Sequence, residues 1–316
     1  MTVAWIENDR DGKKMKSASA KPFSAISEGA SLFDGGTYSM RVVETIAGMK
    51  RVRKKLTGPV GFVATMGFFH EGHLSLVRKA RARNPSVVVS IFVNPAQFSP
   101  AEDFDTYPRD IPRDLSLLEK ERADVVFMPP VAEMYPPGFN SWVDVPGVTD
   151  RLEGASRPGH FRGVATVVNK LFNIIQPDVA YFGQKDAQQV LVVRKMVQEL
   201  KMGLEIVALP TVREDDGLAV SSRNAYLNPE ERKAAPILHR ALCLAEELWK
   251  NGEKDAGSIR QQMRELIQKE PLARIDYVSI ADPETLEEMD EVRTPALASM
   301  AVWIGKTRLI DNVVVG

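Results

Sequence analysis

From residue 60 onward, short β-branched runs alternate with amphipathic stretches of helical period, a pattern that commits the chain to parallel strands joined by crossover helices. VGFVAT (60–65), VVVSIFV (87–93), DVVFM (124–128), VAYF (179–182) and EIVAL (205–209) read as buried strands. Helical stretches near 73–83, 112–122, 162–176 and 186–201 predict helices on both faces of a doubly wound sheet. Ligands of such sheets sit at the carboxyl ends of the strands.

Beyond a loop rich in Asp, Gly and Ser at 213–224, the texture changes to two long polar helices near 229–251 and 255–269, followed by RIDYVSI, ALASMAVWI and RLIDNVVV. Helices followed by strands without alternation predict a smaller α+β domain. The expected fold class is therefore α/β, a Rossmann-like doubly wound parallel sheet with a smaller C-terminal α+β domain. Expected boundaries are a polar extension over 1–39, a Rossmann-like domain over 40–212 and a C-terminal lid domain over 213–316, hinged near 210–214.

Composition narrows the function classes. Forty-one basic against forty-two acidic residues leave a net charge of -1, so no global field draws the chain to nucleic acid or to an anionic membrane. No run of 18 apolar residues is present, which predicts no membrane span. The single cysteine, Cys243, excludes an internal disulfide and a cysteine-rich metal site, and its position in ILHRALCLAEELW predicts a small core residue. Five basic and five acidic residues in the first forty, with no apolar block, argue against a signal peptide, and a cytoplasmic location is expected.

The most informative segment is ATMGFFHEGH (64–73), where the strand at 60–65 ends and a helix begins. Free backbone N–H groups and the positive end of the helix dipole favour phosphate there, and Gly72 allows close approach. His70 and His73 add imidazole donors on the same rim. A zinc reading fails on spacing, because the helical metalloprotease motif needs two residues between Glu and the second His and this chain has one.

Two further clusters point to phosphate. Lys185 stands in YFGQKD (181–186), beside Gly183 at the end of a predicted strand. Ser221, Ser222 and Arg223 lie in VREDDGLAVSSRN (212–224), where hydroxyls and a guanidinium suit a polyphosphate tail and a hinge loop can close over a nucleotide. Asn94, Gln97 and Gln189 suit either a grip on a hydroxy acid or ordinary turn capping, and residue chemistry alone leaves both open.

Taken together, TMGFFHEGH, FVNPAQF, RPGHFRGV, YFGQKDAQQ and TVREDDGLAVSSRN resemble, in order and spacing, the pantothenate synthetase (pantoate–β-alanine ligase) family. That family falls within the nucleotidyltransferases carrying a His-x-Gly-His phosphate motif. The resemblance runs from about residue 40 to the C-terminus. It implies that pantoate is adenylated by ATP with magnesium assisting and pyrophosphate leaving, and that the amine of β-alanine then attacks the acyl adenylate. It assigns catalysis to His70, His73, Lys185, Ser221, Ser222 and Arg223. Gly72, Gly183, Asp186 and Val212 fall on the ATP side with Met66, His73 and Lys185. Gln97, Gln189, Asn94 and Met66 fall on the pantoate side, and Arg157 and His160 at the β-alanine end. A homodimer is also implied, with no nucleic-acid or membrane partner. Ala64 replaces the family's usual proline and Phe68-Phe69 a smaller pair, which predicts altered packing beside the pockets. The alternatives are another nucleotidyltransferase of the same motif acting on a small acid or phosphate ester, a class I aminoacyl-tRNA synthetase and a non-catalytic nucleotide-binding regulator. The synthetase would need a basic RNA-binding face, and the regulator is expected to lose His73 or Lys185.

Overall fold

The computed structural model describes residues 39–99 and 102–316; the expected extension over 1–39 lies, apart from Ser39, outside the described residues. The first unit is an α/β, doubly wound sheet of six parallel strands: β1 (Arg41–Val43), β2 (Val60–Thr65), β3 (Ser86–Ile91), β4 (Val125–Phe127), β5 (Val179–Gly183) and β6 (Glu205–Leu209). Their spatial order is β1-β4-β3-β2-β5-β6, every neighbouring pair parallel. Crossovers from β2 run outward to β3 and β4, while β5 and β6 lie on the opposite side of β2. The order therefore reverses between β2 and β5, and the crevice at their carboxyl ends is where an open α/β sheet accepts a ligand.

Alternation within the strands explains the two layers. Phe62, Val88 and Ala180 face α1 (Ile46–Arg53) together with α6 (His160–Ile175) and α7 (Ala187–Glu199). Their neighbours Val63, Val87, Val89 and Tyr181 face α2 (Glu71–Arg83) and α3 (Ile111–Lys120). Both faces are apolar because both are covered. Two short helices, α4 (Val131–Met134) and α5 (Glu153–Ser156), punctuate the long connection between β4 and α6.

The second unit is a three-stranded antiparallel sheet, β7 (Ala273–Ala281), β8 (Ala296–Ile304) and β9 (Thr307–Val315), packed on α8 (Pro229–Ala234), α9 (Ile237–Lys250) and α10 (Ala256–Gln268). β9 is an edge strand and lies toward the first unit.

Three features differ from the sequence reading. The first strand is β1, whose three residues are too short to register as a period. The single helix expected over 229–251 is two, α8 and α9, because Pro236 has no N–H to continue the ladder. Cys243 is exposed rather than in the core: Leu238, Ala241, Leu242 and Ala245 form the buried stripe of α9, and one residue past Leu242 turns about 100° away from it.

Candidate active site

The turn after β2 is built from two left-handed residues, Gly67 (φ 83°) and Phe68 (φ 53°), which swing the chain sharply into α2. Phe68 pays a steric cost there, since a side chain disfavours that conformation. A buried carboxylate compensates: Asp114 of α3 accepts the Phe68 N–H at 2.6 Å and the Phe69 N–H at 2.8 Å. Burial raises the Asp114 carboxyl's affinity for protons and these two donors oppose that rise. Nothing in local spacing pointed to Asp114, 46 residues from Phe68.

His70 occupies the N-cap of α2 without capping it through its side chain. Its ring instead stacks on His73, with centroids 4.0 Å apart and planes at 26°. Phe69 meets His73 edge-on at 5.4 Å. The Nδ1 atoms of both histidines are buried without a hydrogen-bond partner among the described residues. Burial, reinforced by Lys185, lowers His70 to about 4. Burial, then His70 and Lys185, keeps His73 well below the usual imidazole range. Both rings are thus neutral hydrogen-bonding groups at physiological pH. A Cβ at position 72 would come within 3.0 Å of the His70 ring, so Gly72 keeps that ring where it is.

Across the crevice, β5 runs into a tight turn over Gln184–Asp186 that starts α7. Lys185 Nζ lies 3.5 Å from Asp186 Oδ1 and faces the histidines closely enough to depress both. A Cβ on Gly183 would meet nothing within 4 Å. The amide of Asn312, from β9, donates to the carbonyls of Gln184 and Lys185.

The 213–226 loop forms the third wall. Arg213 grips Asp311 of β9 through two bonds of 2.6 and 3.0 Å. The Ser221 hydroxyl accepts the Arg223 N–H, and the Ser222 hydroxyl reaches the Phe68 carbonyl at 3.5 Å. Arg223 itself is held by Asp103, and Tyr226 donates to the same carboxylate at 3.2 Å. Burial opposes ionisation of Asp103 but the guanidinium prevails and holds its carboxyl below the usual range.

Asn94 is only 1 % exposed, and its amide is fully engaged. Its Nδ2 donates to Gly163 O and to Gln97 Oε1, and its Oδ1 accepts from Tyr135 and from the Ala96 N–H. The Gln97 amide, so oriented, donates to Met66 Sδ at 3.4 Å. Gly163 of α6 lies so near this turn that a Cβ there would stand 2.1 Å from the Ala96 carbonyl. Gln189 is half-buried on α7. Arg157 makes a bidentate pair with Glu102 and reaches His160 Nε2 at 3.1 Å, while His160 Nδ1 lies 2.8 Å from the Gln97 carbonyl. A carbonyl only accepts and arginine only donates, so the proton of His160 sits on Nδ1. Burial, then Arg157, lowers this ring to about 4.

Every catalytic or ligand-binding residue expected from the sequence lines one cavity of about 700 Å³ between the sheet crevice and β9. Ala64 also lines it, whereas Phe69 is buried in the core between the sheet and α2 and Phe68 packs under Arg113. Sequence reasoning missed Asp114, Glu102, Asp103 and Asn312, all of which act through partners distant in the chain.

A family profile described as pantoate–beta-alanine ligase matches residues 41–314. A pantothenate synthetase from Roseiflexus castenholzii is 60% identical over 275 residues, covering 87% of this chain and 99% of the relative. The crystal structure of pantothenate synthetase from Thermus thermophilus superposes with a TM-score of 0.83 at 49% identity, over 87% of this chain and 99% of that one. A pantoate–beta-alanine ligase from Francisella tularensis, complexed with beta-gamma ATP and beta-alanine, gives a TM-score of 0.72 at 32% identity, over 87% and 98% of the two chains.

Proposed function

The chain belongs to the pantoate–β-alanine ligase family, and on that premise we propose that it condenses D-pantoate with β-alanine to pantothenate, releasing AMP and pyrophosphate. The observation carrying this reading is that the His70–His73 rim and the Lys185 turn flank the β2/β5 reversal and open onto one cavity with the Ser221–Ser222–Arg223 loop.

In the first step the pantoate carboxylate attacks the α-phosphorus of ATP, the new oxygen–phosphorus bond forming as the bond to pyrophosphate breaks. Such a transfer asks chiefly for positioning and for neutralisation of charge on the phosphoryl oxygens. Lys185 supplies the positive charge. His70 and His73, being neutral, supply hydrogen bonds, and Arg223 with Ser221 and Ser222 holds the departing phosphates. Gly72, Gly183, Asp186 and Val212 line the nucleotide side, and Met66 packs between the ligands. Gln97 and Gln189 grip pantoate, and Asn94 serves by fixing Gln97. In the second step the β-alanine amine attacks the acyl carbon and AMP leaves, with Arg157 and His160 at the β-alanine carboxylate.

Magnesium enters this scheme with the ATP phosphates as part of the substrate, as a cation that keeps its waters and favours phosphate oxygens. Residues 40–212 then act as the ATP- and pantoate-binding domain and 213–316 as a lid. The proposed assembly is a homodimer. The compartment is the cytoplasm, which supplies ATP; among the described residues no helix is long and apolar enough to cross a membrane.

Mass spectrometry of a mixture of protein, magnesium, ATP, D-pantoate and β-alanine tests the reading. Pantothenate and AMP are expected in equal amounts, with pyrophosphate appearing only when pantoate is present. Pyrophosphate release that depends on a different small acid or phosphate ester would assign the chain to another nucleotidyltransferase reaction.

A further inference from the structure

The tight turn that carries Lys185 has no side-chain cap of its own: Gly183 precedes it and has none to offer. Its carbonyls are met instead from another sheet. Asn312 of β9, 5% exposed, donates through Nδ2 to Gln184 O at 3.0 Å and to Lys185 O at 2.8 Å. Its Oδ1 accepts from Gln184 Nε2 at 3.3 Å. Carbonyls accept only, so the amide can face this turn in one orientation, and both of its N–H groups are spent on it. The preceding residue, Asp311 (3% exposed), binds Arg213 through two bonds, and Arg213 also donates to Gly217 O at 3.0 Å. Two consecutive residues of one edge strand thus anchor both loops that bear cationic and hydroxyl groups toward the cavity.

We propose that Asn312 is a positioning residue for Lys185. The inference rests on the adenylation chemistry described above and extends it, since it makes the placement of the ammonium in the first unit depend on the second. An ammonium stabilises a developing phosphoryl charge only when held at that charge beforehand, so a turn freed from Asn312 retains the lysine but loses its preorganisation. Binding of ATP, spread over many contacts, suffers less than turnover.

The test is a double-mutant cycle on the full chain with Asn312→Ala, Lys185→Ala and the double variant, measuring pantoate-dependent pyrophosphate release. Asn312→Ala is expected to lower kcat by about 10- to 100-fold while changing KM for ATP by less than about threefold. In the Lys185→Ala background the same change should cost less than about threefold, because the group it positions is gone. Equal losses in both backgrounds, or none in either, overturn the proposal. Asn312→Ser, which keeps one donor, should recover part of the loss and serves as the variant should alanine prevent folding. ATP affinity of the same proteins, read by calorimetry, separates the two ideas. If wild-type protein makes no pantothenate, the functional reading has failed. The small loss of ATP affinity from Asn312→Ala, up to about threefold, then still supports the positioning role if it disappears in the Lys185→Ala background, and an equal loss in both, or none in either, overturns it.

Discussion

Asp103 occupies Arg223 through two hydrogen bonds, Nε to Oδ2 at 3.2 Å and a terminal nitrogen to Oδ1 at 2.9 Å, in the geometry a phosphate would use. The partners are about a quarter exposed, so the pair is only moderately strong. A nucleotide bound through Arg223 as proposed competes with this carboxylate for the guanidinium. Asp103→Asn is therefore expected to tighten ATP binding by about two- to fivefold, the scale of a partly exposed ion pair. Calorimetric titration without pantoate measures it, and weaker binding would mean that Asp103 orients Arg223 for its ligand.

His73→Ala and Lys185→Ala should each reduce adenylate formation by about 10² or more, the usual cost of losing a preorganised charge stabiliser. Thermal melting should change little, because neither side chain carries much of the sheet core. Near wild-type pyrophosphate release from either variant would falsify the roles assigned to them.

Gln97→Ala and Gln189→Ala should weaken pantoate far more than ATP. Gln97 is held between Asn94 and Met66, so its truncation leaves one Asn94 N–H and a bound hydroxyl or carboxylate unpaired. The pantoate dependence of pyrophosphate release, compared with ATP affinity, separates the two substrates. Loss of ATP affinity with unchanged pantoate dependence would move these glutamines to the nucleotide side.

The buried imidazoles set the acid limb of stability. His70 and His160 take up protons near 4 when folded, against an ordinary value of 6.5. Between those values the unfolded chain binds protons that the folded chain refuses, so stability should fall as pH drops through that window and be indifferent to these rings above it. Urea midpoints measured across that range, together with NMR titration of the two rings, check the sign. A proton uptake near 6.5 by either ring in the folded protein would contradict the burial argument.

The legible parts of the site are those encoded over short spans. His70, Gly72 and His73 sit within four residues at a strand-to-helix junction, and Lys185 follows a strand end by two. The strands themselves were legible because both faces are covered and the apolar runs are continuous. The supporting carboxylates were not. Asp114 serves Phe68 across 46 positions, Glu102 serves Arg157 across 55 and Asp103 serves Arg223 across 120, and each reads locally as an ordinary surface acid. Asn312 is a polar residue in an edge strand until β9 is laid against the Lys185 turn, 127 positions away. The break at Pro236 could have been read, since proline inside a helical pattern ends the hydrogen-bond ladder at once.

The contact between Gly163 and the Ala96 carbonyl has a consequence for how this enzyme can vary. At Gly163, α6 meets the turn bearing Gln97 backbone to backbone, so the atoms a side chain there would strike belong to the main chain of Ala96 and Gln97. A methyl group at 163 would act as a wedge whose displacement passes straight to Gln97, reshaping the proposed acid pocket without altering any residue that lines the cavity. Substitutions tolerated elsewhere on α6 should therefore be refused here. Glycine at 163 thus fixes the spacing between helix and turn, and with it the position of the Gln97 amide.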